Sequence, residues 1–332
     1  MQTLLYLNNY ANSFEYINIV NEKKYPRQHL WGVDYLSNHF SVIFPYKTFK
    51  NNSKNRIKRI LYCIKYQIYI YRNYHNVDII YAACNHITEI FSLLKIMRFY
   101  HGKIFYINHH NNSIMFISGI DRIITISDDI KNILVKRYPK YKQKIININW
   151  GGDTTFYESF VIGRTEEYTF IQNGKSSRDN VLLVKALNII SKSGIIYCID
   201  NSLLSLNNEK IIIKTCDISS IENIRLLSIC KIMVIPIIIT NKSLCGLTSF
   251  IDAICMGMPV IVSDNAFLGI DVEKENIGFF YRAGDIHSLM EKMNILISDT
   301  DLYNIFSRNC MLYSYKNNYD KFCNSLLKLI SQ

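Results

Sequence analysis

The chain has little negative charge and none of the cysteine spacings that hold a metal. Its 332 residues include 27 Asp and Glu against 38 Lys and Arg, which leaves a formal net charge of +11. The nine cysteines form no Cys-x-x-Cys pair and no tight cluster with histidine. We therefore predict neither a zinc site nor a disulfide framework, but small buried thiols in a reducing compartment.

Long apolar runs are also absent. The longest, residues 232–240, is far too short to span a bilayer and is predicted to be a buried strand. Residues 1–10 lack a basic segment followed by an apolar one, which argues against a secretory signal. Hydrophobic residues make up 49% and charged residues 20% of the chain, close to the average of globular proteins. We expect a cytoplasmic protein.

What the sequence does have is a regular alternation of strand-like and helix-like segments. This alternation favours α/β domains whose parallel sheets are covered by helices. It pauses at Trp150-Gly151-Gly152-Asp153 and restarts at Tyr168. We predict a first Rossmann-like domain over residues 1–150, a linker over 151–167 and a second Rossmann-like domain over 168–312. Residues 313–332 are predicted to form a C-terminal helix, with a return to the first domain as an open alternative.

The most informative segment begins at Cys245-Gly246-Leu247-Thr248, where a predicted helix starts after a glycine turn. The first amides of a helix are free, and its dipole is positive at that end, which suits a phosphate. Asp252 lies about one and a half turns further on, within reach of a sugar hydroxyl. This pairing predicts a nucleotide-sugar site, whereas a plain glycine turn and a solvated carboxylate are the alternatives.

A second cluster follows the first strand of the second half, at Gly174, Lys175 and Arg178. Arginine can bind a phosphate in a bidentate manner, and fixed cations stabilise a departing diphosphate when no metal does so. We therefore predict that Lys175 and Arg178 clamp a diphosphate, with no metal and no cofactor. An exposed pair without a ligand is the alternative.

The order of these motifs carries a resemblance. Asn173-Gly174-Lys175-Ser176-Ser177-Arg178-Asp179, residues 246–252, Gly257-Met258-Pro259-Val260-Ile261 and Gly284-Asp285 occur in sequence. Together they resemble the C-terminal domain of retaining GT-B glycosyltransferases of family 4, of the bacterial polysaccharide-synthesis type. The resemblance implies two Rossmann-like domains that face an interdomain cleft. It also implies sugar transfer from a nucleotide sugar, with UDP favoured over GDP, to a lipid-linked or oligosaccharide acceptor in capsule, exopolysaccharide or O-antigen synthesis.

The resemblance also suggests roles for individual residues. A histidine after a strand of the first half contacts the donor sugar in that family; Asn108-His109-His110 offers two candidates, of which His110 is favoured. The candidate catalytic residues are His109, His110, Lys175 and Arg178. The candidate donor-binding residues are Gly174, Lys175, Arg178, Gly246, Leu247, Thr248 and Asp252. The candidate acceptor-side residues are Arg27, His29 and Asp153.

Two departures from the family keep alternatives open. The first of its two donor-site glutamates is replaced by Leu244 and the second by Asp252, and its amino-terminal glycine-rich loop is missing. A nucleotide-sugar epimerase of the same architecture and a noncatalytic sugar-nucleotide-binding protein therefore remain alternatives. Binding to nucleic acid is not expected, because no motif that pairs aromatic with basic residues stands out.

Residues 47–76 contain no Asp or Glu but many Lys and Arg. Ile57, Ile60, Leu61, Ile64, Ile68 and Tyr71 recur in this stretch at helical spacing. Two interpretations fit this basic amphipathic helix. It docks on the anionic inner leaflet of the cell membrane, or it packs as an ordinary helix with a solvated cationic face.

Overall fold

The computed structural model describes residues 1–8, 13–46, 55–84, 87–110, 112–198, 201–215, 220–238, 244–266 and 268–332. The chain divides into two compact units. The first unit contains residues 1–23, 27–150 and 320–332, and the second contains residues 24–26 and 151–319. In the described part of the chain, no helix combines the length and the apolar character that a bilayer crossing needs.

Each unit is built on one parallel sheet. The strands of the first are β1 (Thr3–Leu7), β2 (Ser41–Ile43), β3 (Ile79–Ala82), β4 (Lys103–Asn108), β5 (Arg122–Thr125) and β6 (Ile145–Asn147). Those of the second are β7 (Tyr168–Gln172), β8 (Gly194–Cys198), β9 (Ile211–Thr215), β10 (Cys230–Ile235), β11 (Val260–Ser263) and β12 (Gly278–Tyr281). Among the described residues, each sheet has six strands, in the orders β2-β1-β3-β4-β5-β6 and β12-β11-β10-β7-β8-β9.

Helices connect these strands. The first unit contains α1 (Ser13–Asn21), α2 (Val33–Leu36), α3 (Arg56–Tyr74), α4 (Glu89–Ile96) and α5 (Asp128–Arg137). The second contains α6 (Thr154–Val161), α7 (Asn180–Ile189), α8 (Ser220–Ser228), α9 (Leu247–Cys255), α10 (Ile286–Ser298) and α11 (Thr300–Lys316). The last helix, α12 (Tyr319–Ile330), returns to the first unit from residue 320 onward.

Both sheets are covered on their two faces, which explains why their strands are almost continuously apolar. In β3, for example, all four residues are buried, and the same holds for β8 and β11. The core of the second unit places Phe170, Ile232 and Ile261 of the sheet against Leu187 of α7 and Met293 of α10. The predicted α/β class with two Rossmann-like domains is confirmed.

The segment after the first unit differs from the prediction. Residues 151–167 were predicted to be a linker, but they contain α6, and Tyr157 on this helix is fully buried. Gly152 packs closely here, since a Cβ at this position would lie 2.3 Å from the Cys255 sulfur. Helix α6 therefore belongs to the second unit, where it packs on α8 and α9.

The C-terminal segment also differs in detail. Residues 313–332 were predicted to be one helical segment, but α11 continues to Lys316 and α12 starts at Tyr319. Between them Asn318 pairs with Gly152, and the Tyr319 N–H donates to the Gly152 carbonyl at 2.8 Å. This pairing interrupts the helical hydrogen bonds and separates the two helices.

Candidate functional site

The strand order of the second sheet reverses between β7 and β10. At such a switch point the connections after two neighbouring strands leave in opposite directions, and ligands bind outside the carboxyl ends of the strands. The segments that follow β7 and β10 are bonded to each other here. The Asp179 N–H donates to the Pro236 carbonyl at 2.8 Å, and the Ile238 N–H donates to the Ser177 carbonyl at 3.0 Å. Both segments predicted to bind the donor diphosphate therefore meet at one place.

Arg178 connects the two segments through its side chain. Its guanidinium donates to the Ser176 carbonyl at 2.7 Å, to the Cys245 sulfur at 3.4 Å and to the Ser249 hydroxyl at 3.2 Å. Burial lowers the pKa of Arg178, and the neighbouring Cys245 thiol opposes this shift. An arginine still carries its charge at neutral pH, so the site holds a half-buried cation.

One donor of this cation is unused. The Nε of Arg178 is buried and has no hydrogen-bond partner among the described residues. A buried donor of this kind usually indicates a missing ligand or water, because leaving it unpaired is costly. Gly174 makes room for the guanidinium: a Cβ at this position would lie 2.0 Å from an Nη atom of Arg178. The arrangement suits an anion at the carboxyl end of β7.

The tip of α9 lies beside Arg178. Gly246 precedes the helix with φ of 96°, a left-handed conformation, and a Cβ there would lie 2.7 Å from the Ile235 side chain. No side chain caps the helix at Gly246, so its first amides, at Leu247 and Thr248, are available at the positive end of the dipole. The structure describes α9 along its whole length, and Thr248 is its one exposed residue.

Lys175 and Leu244 are two further residues that the sequence singled out near this cluster. Lys175 lies in the same loop as Arg178, but it is exposed to solvent. Leu244 stands half-buried just before Cys245 and carries no group that could bond a sugar hydroxyl. The structure thus brings Gly174, Arg178 and the start of α9 together, and it leaves Lys175 at the rim of the loop.

Asp252 is not a solvated helix carboxylate. It is 4% exposed, and both of its oxygens are bonded: one accepts from the Tyr157 hydroxyl at 2.6 Å and the other from the Asn173 Nδ2 at 2.8 Å. Burial raises the pKa of Asp252 to about 6, although both hydrogen bonds favour the charged form. Asn173 has an orphan acceptor, since its Oδ1 is buried without a partner among the described residues.

Tyr157 and Asn173 are the residues of this network that sequence reasoning missed. Tyr157 is separated from Asp252 by 95 positions, and no local pattern marks such a contact. Asn173 had a signal, because a polar residue directly after a buried strand of a parallel sheet lies at the ligand-binding edge.

The two candidate histidines follow β4 in the first unit. His109 is buried: its Nε2 lies 2.8 Å from the Ala83 carbonyl and its ring stands edge-on to Trp31 at 4.4 Å. Burial lowers the pKa of His109 to about 4. His110 is half-buried, and its Nδ1 has no hydrogen-bond partner among the described residues. Burial lowers the pKa of His110 as well. His110 thus keeps a ring nitrogen without a partner among the described residues, and its preference over His109 stays a prediction.

The three residues predicted to lie on the acceptor side have different surroundings. Arg27 pairs with Asp34 at 2.9 Å and with Asp320 at 3.3 Å, within the first unit. The ring of His29 contacts that of Trp150 at 5.6 Å, and burial lowers its pKa to about 4. Asp153, in the second unit, is buried just before α6.

Carboxylates that could hold a metal are not gathered at the switch point. Among the described residues, no group of three or more His, Cys, Asp or Glu side chains lies close enough to bind a metal ion. The sequence has one Asp-x-Asp spacing, Asp299-Thr300-Asp301. It begins α11, where the Asp299 carboxylate caps the helix by accepting from the Leu302 N–H at 2.9 Å. This pair is therefore explained by helix capping.

Comparison with known proteins gives a result at the level of structure. No family model matches the chain, and no curated protein matches its sequence. A glycosyltransferase from Rickettsia africae has a TM-score of 0.68 at 17% identity, with 99% of this chain and 97% of that chain covered. HepE from Anabaena, in complex with UDP-glucose, has a TM-score of 0.69 at 12% identity, with 100% of both chains covered.

A third solved structure, sucrose-phosphate synthase from Thermosynechococcus elongatus, has a TM-score of 0.72 at 12% identity and covers 100% of this chain and 99% of its own. At such low identities the likeness establishes the fold alone. The chain has the GT-B fold, with two Rossmann-like units, as its sequence predicts.

Proposed function

We propose that this protein is a glycosyltransferase that uses a nucleotide-sugar donor and binds the donor diphosphate at the switch point of its second unit. The observation that carries the proposal is the half-buried Arg178, whose enclosed Nε has no hydrogen-bond partner among the described residues, beside the uncapped amides of α9. Support also comes from proteins with the same fold, which include a glycosyltransferase and HepE in complex with UDP-glucose.

These groups are arranged for a leaving diphosphate. In the transfer, the bond between the anomeric carbon and the diphosphate oxygen breaks, a bond to the acceptor oxygen forms, and the acceptor proton passes to the diphosphate. Negative charge grows on the diphosphate as it departs. A fixed cation and oriented amides stabilise that charge most strongly in a desolvated site, since they need no reorganisation. We assign the role to Arg178, Leu247 and Thr248, with Lys175 as an exposed cation nearby.

In the proposal, Asp252 acts through Asn173. The Asp252 carboxylate accepts from the Asn173 Nδ2, which fixes the amide and leaves its Oδ1 as a buried acceptor. A ribose hydroxyl is a suitable donor to that oxygen. His110 is proposed to contact the transferred sugar, while Arg27, His29 and Asp153 are proposed to serve the acceptor.

The finer parts of the proposal are UDP in preference to GDP, retention of configuration, transfer without a metal, and a lipid-linked or oligosaccharide acceptor in bacterial surface-polysaccharide synthesis. They rest on the order of the sequence motifs. Proteins of similar structure support the nucleotide, because HepE has been solved with UDP and with UDP-glucose.

Isothermal titration of the full chain with UDP and with GDP tests the proposal. Arg178→Ala should weaken UDP binding by roughly tenfold to a hundredfold, because it removes charge-assisted hydrogen bonds to the diphosphate. Arg225→Ala, which removes an exposed arginine from α8, is the matched control and should bind as the wild type does. Unchanged affinity in Arg178→Ala would reject the diphosphate assignment.

The reaction itself is tested by incubating the protein with UDP-sugars and following the products by mass spectrometry. We expect slow release of UDP and free sugar from one donor, with water as the acceptor. Conversion of a UDP-sugar into its isomer, without release of UDP, would instead identify an epimerase.

A further inference from the structure

Helix α3 exposes an apolar stripe to solvent. Ile57 is 69% exposed, and Ile60, Leu61, Ile64 and Ile68 are 50%, 53%, 42% and 39% exposed. Their spacing of three and four positions places them on one face of the helix. The helix packs through a different face, where Tyr66, Gln67 and Ile70 are buried. The stripe from Ile57 to Ile68 is therefore not the face of α3 that packs on the core.

A row of cations runs along one edge of this stripe. Lys58, Lys65 and Arg72 are spaced seven positions apart and all are exposed. On a helix, this spacing brings each residue nearly above the last, and the row lies next to Leu61 and Ile68. The sequence of α3 contains no Asp or Glu. Lys47, Lys50 and Lys54, which belong to the stretch without Asp or Glu that precedes and includes α3, lie outside the described residues.

The neighbouring helix α4 also exposes apolar side chains. α4 packs on α3 through a hydrogen bond of 2.8 Å from Gln67 to Glu89 and through the rings of Tyr71 and Phe91, 5.7 Å apart. The exposed large apolar residues of α4 and the turn after it are Leu93, Ile96, Met97 and Phe99. A contiguous exposed apolar face such as the α3 stripe usually marks an interaction surface.

We propose that α3 is a docking surface for an anionic lipid bilayer. The stripe enters the boundary between headgroups and acyl chains, and the basic row contacts lipid phosphates, as expected for a helix that lies in the plane of the interface. Charge complementarity selects this occupant. Each basic residue close to an anionic bilayer contributes about fivefold to partitioning, so three of them contribute on the order of a hundredfold.

The same charges disfavour a second copy of the chain as the occupant. A two-fold interface places identical surfaces against each other. If two α3 stripes packed in this way, the rows of Lys58, Lys65 and Arg72 would flank the same seam with no acidic side chain of α3 to neutralise them. An anionic bilayer has no such repulsion.

Flotation of the full chain with lipid vesicles tests the proposal. We expect the wild type to float with vesicles of phosphatidylglycerol and phosphatidylcholine in equal parts, and to remain unbound with phosphatidylcholine alone. The variant Lys58→Ala/Lys65→Ala/Arg72→Ala should lose on the order of a hundredfold in partitioning. A second variant, Ile57→Gln/Leu61→Gln/Ile64→Gln, changes only exposed side chains and should also lose binding while the charge is unchanged.

The matched control removes three positive charges from another part of the same unit. Lys136→Ala/Lys140→Ala/Lys142→Ala alters exposed lysines on α5 and the segment after it, and should float as the wild type does. Equal flotation with neutral vesicles, equal losses in the control, or a wild type that is dimeric through α3 would each overturn the proposal. UDP titration of the same variants keeps this result separate from the proposed sugar transfer, because we expect their UDP affinity to be unchanged.

Discussion

The carboxylate of Asp252 accepts a hydrogen bond of 2.6 Å from the hydroxyl of Tyr157, and this bond joins α9 to α6 inside the second unit. Tyr157 is 0% and Asp252 4% exposed. Removing a carboxylate from water disfavours its charged form, and the bonds from Tyr157 and Asn173 offset only part of this cost. The pKa of Asp252 therefore rises to about 6.

The raised pKa predicts how stability depends on pH. In the unfolded chain Asp252 ionises near its ordinary value of 3.8, but in the folded protein near 6. Between these values the folded state binds more protons, so its stability falls as pH rises through the window. The total loss is on the order of 3 kcal/mol. Asp252→Asn cannot ionise, and we expect it to gain stability relative to the wild type over the same window.

Urea unfolding near pH 4 and near pH 7, followed by hydrogen exchange of peptides from α9, measures this difference. Asp301→Asn, at an exposed position on α11, is the control and should track the wild type at both values. If Asp252→Asn and the wild type changed in parallel with pH, the carboxyl group would not be desolvated as the structure shows.

Tyr157→Phe should lower the free energy of unfolding of the second unit by about 2 kcal/mol at neutral pH. The reason is that a buried charged acceptor loses its donor and nothing replaces it. The pKa of Asp252 should rise further, because the tyrosine hydroxyl favours the ionised form. Tyr315→Phe is the control, since that hydroxyl is 3.4 Å from Glu158 and its residue is 43% exposed. Equal losses in the two variants would show that the Tyr157 bond has no special weight.

A side chain at Gly246 should lower the stability of the second unit. Its φ of 96° is left-handed, and an added Cβ would come within 2.7 Å of Ile235. Gly246→Ala should destabilise the second unit by about 2 kcal/mol and weaken UDP binding, because the tip of α9 must shift. Two alanine controls separate the causes. Gly284 has a left-handed φ of 77° but open space around it, and Gly163 has open space with an ordinary φ.

Calorimetry of the three glycine variants ranks the effects. We expect Gly163→Ala to be neutral or slightly stabilising and Gly284→Ala to show the cost of backbone strain alone. A Gly246→Ala variant no less stable than Gly284→Ala would mean that the close contact with Ile235 is relieved without cost.

Local patterns were sufficient for the parallel sheets and for the start of α9. The helix begins at Leu247 because Gly246 adopts a conformation that other residues avoid, and this signal is readable from sequence. The sequence also placed Arg178 and the start of α9 after two different strands. Their meeting follows from strand order, which periodicity does not specify: β10 had to pair with β7 rather than with β9.

Other features had no local signal. The buried position of α6 depends on contacts of Tyr157 with a residue 95 positions away, so its segment resembled a linker. The periodicity of α3 identified an apolar face but not what covers it. Apolar stripes usually face the core. Here the core is completed by Tyr66 and Ile70, and the stripe is left outside because α3 uses a different face to pack.

His109 predicts an opposite response to pH in the first unit. Its pKa falls from 6.5 to about 4 on burial. Below about pH 6.5 the unfolded chain takes up a proton that the folded protein excludes, so stability is complete above that pH and declines towards pH 4, by on the order of 3 kcal/mol. His109→Gln cannot titrate and should reduce this sensitivity to acid.

Tryptophan fluorescence is the appropriate measurement for this prediction. The sequence has two tryptophans, Trp31 and Trp150, and both belong to the first unit, where their rings stack at 4.6 Å. Acid unfolding followed by this signal reports the first unit without a tryptophan background from the second. His101→Gln, at an exposed position, should behave as the wild type does. An unchanged acid transition in His109→Gln would contradict the excluded proton.

The return of α12 to the first unit predicts that this unit depends on the end of the chain. Leu326 is fully buried, and its Cδ2 would lie 2.7 Å from a Cβ at Gly32, so the leucine occupies the space that the glycine leaves. Leu326→Ala opens a cavity there and should cost about 3 kcal/mol. Because Phe322 of the same helix contacts Trp31, with ring centroids 6.4 Å apart, tryptophan fluorescence reports the loss directly. Leu312→Ala, at a position 58% exposed on α11, should leave the transition in place. Equal midpoints for the Leu326 variant and the wild type would mean that α12 rests on the first unit without stabilising it.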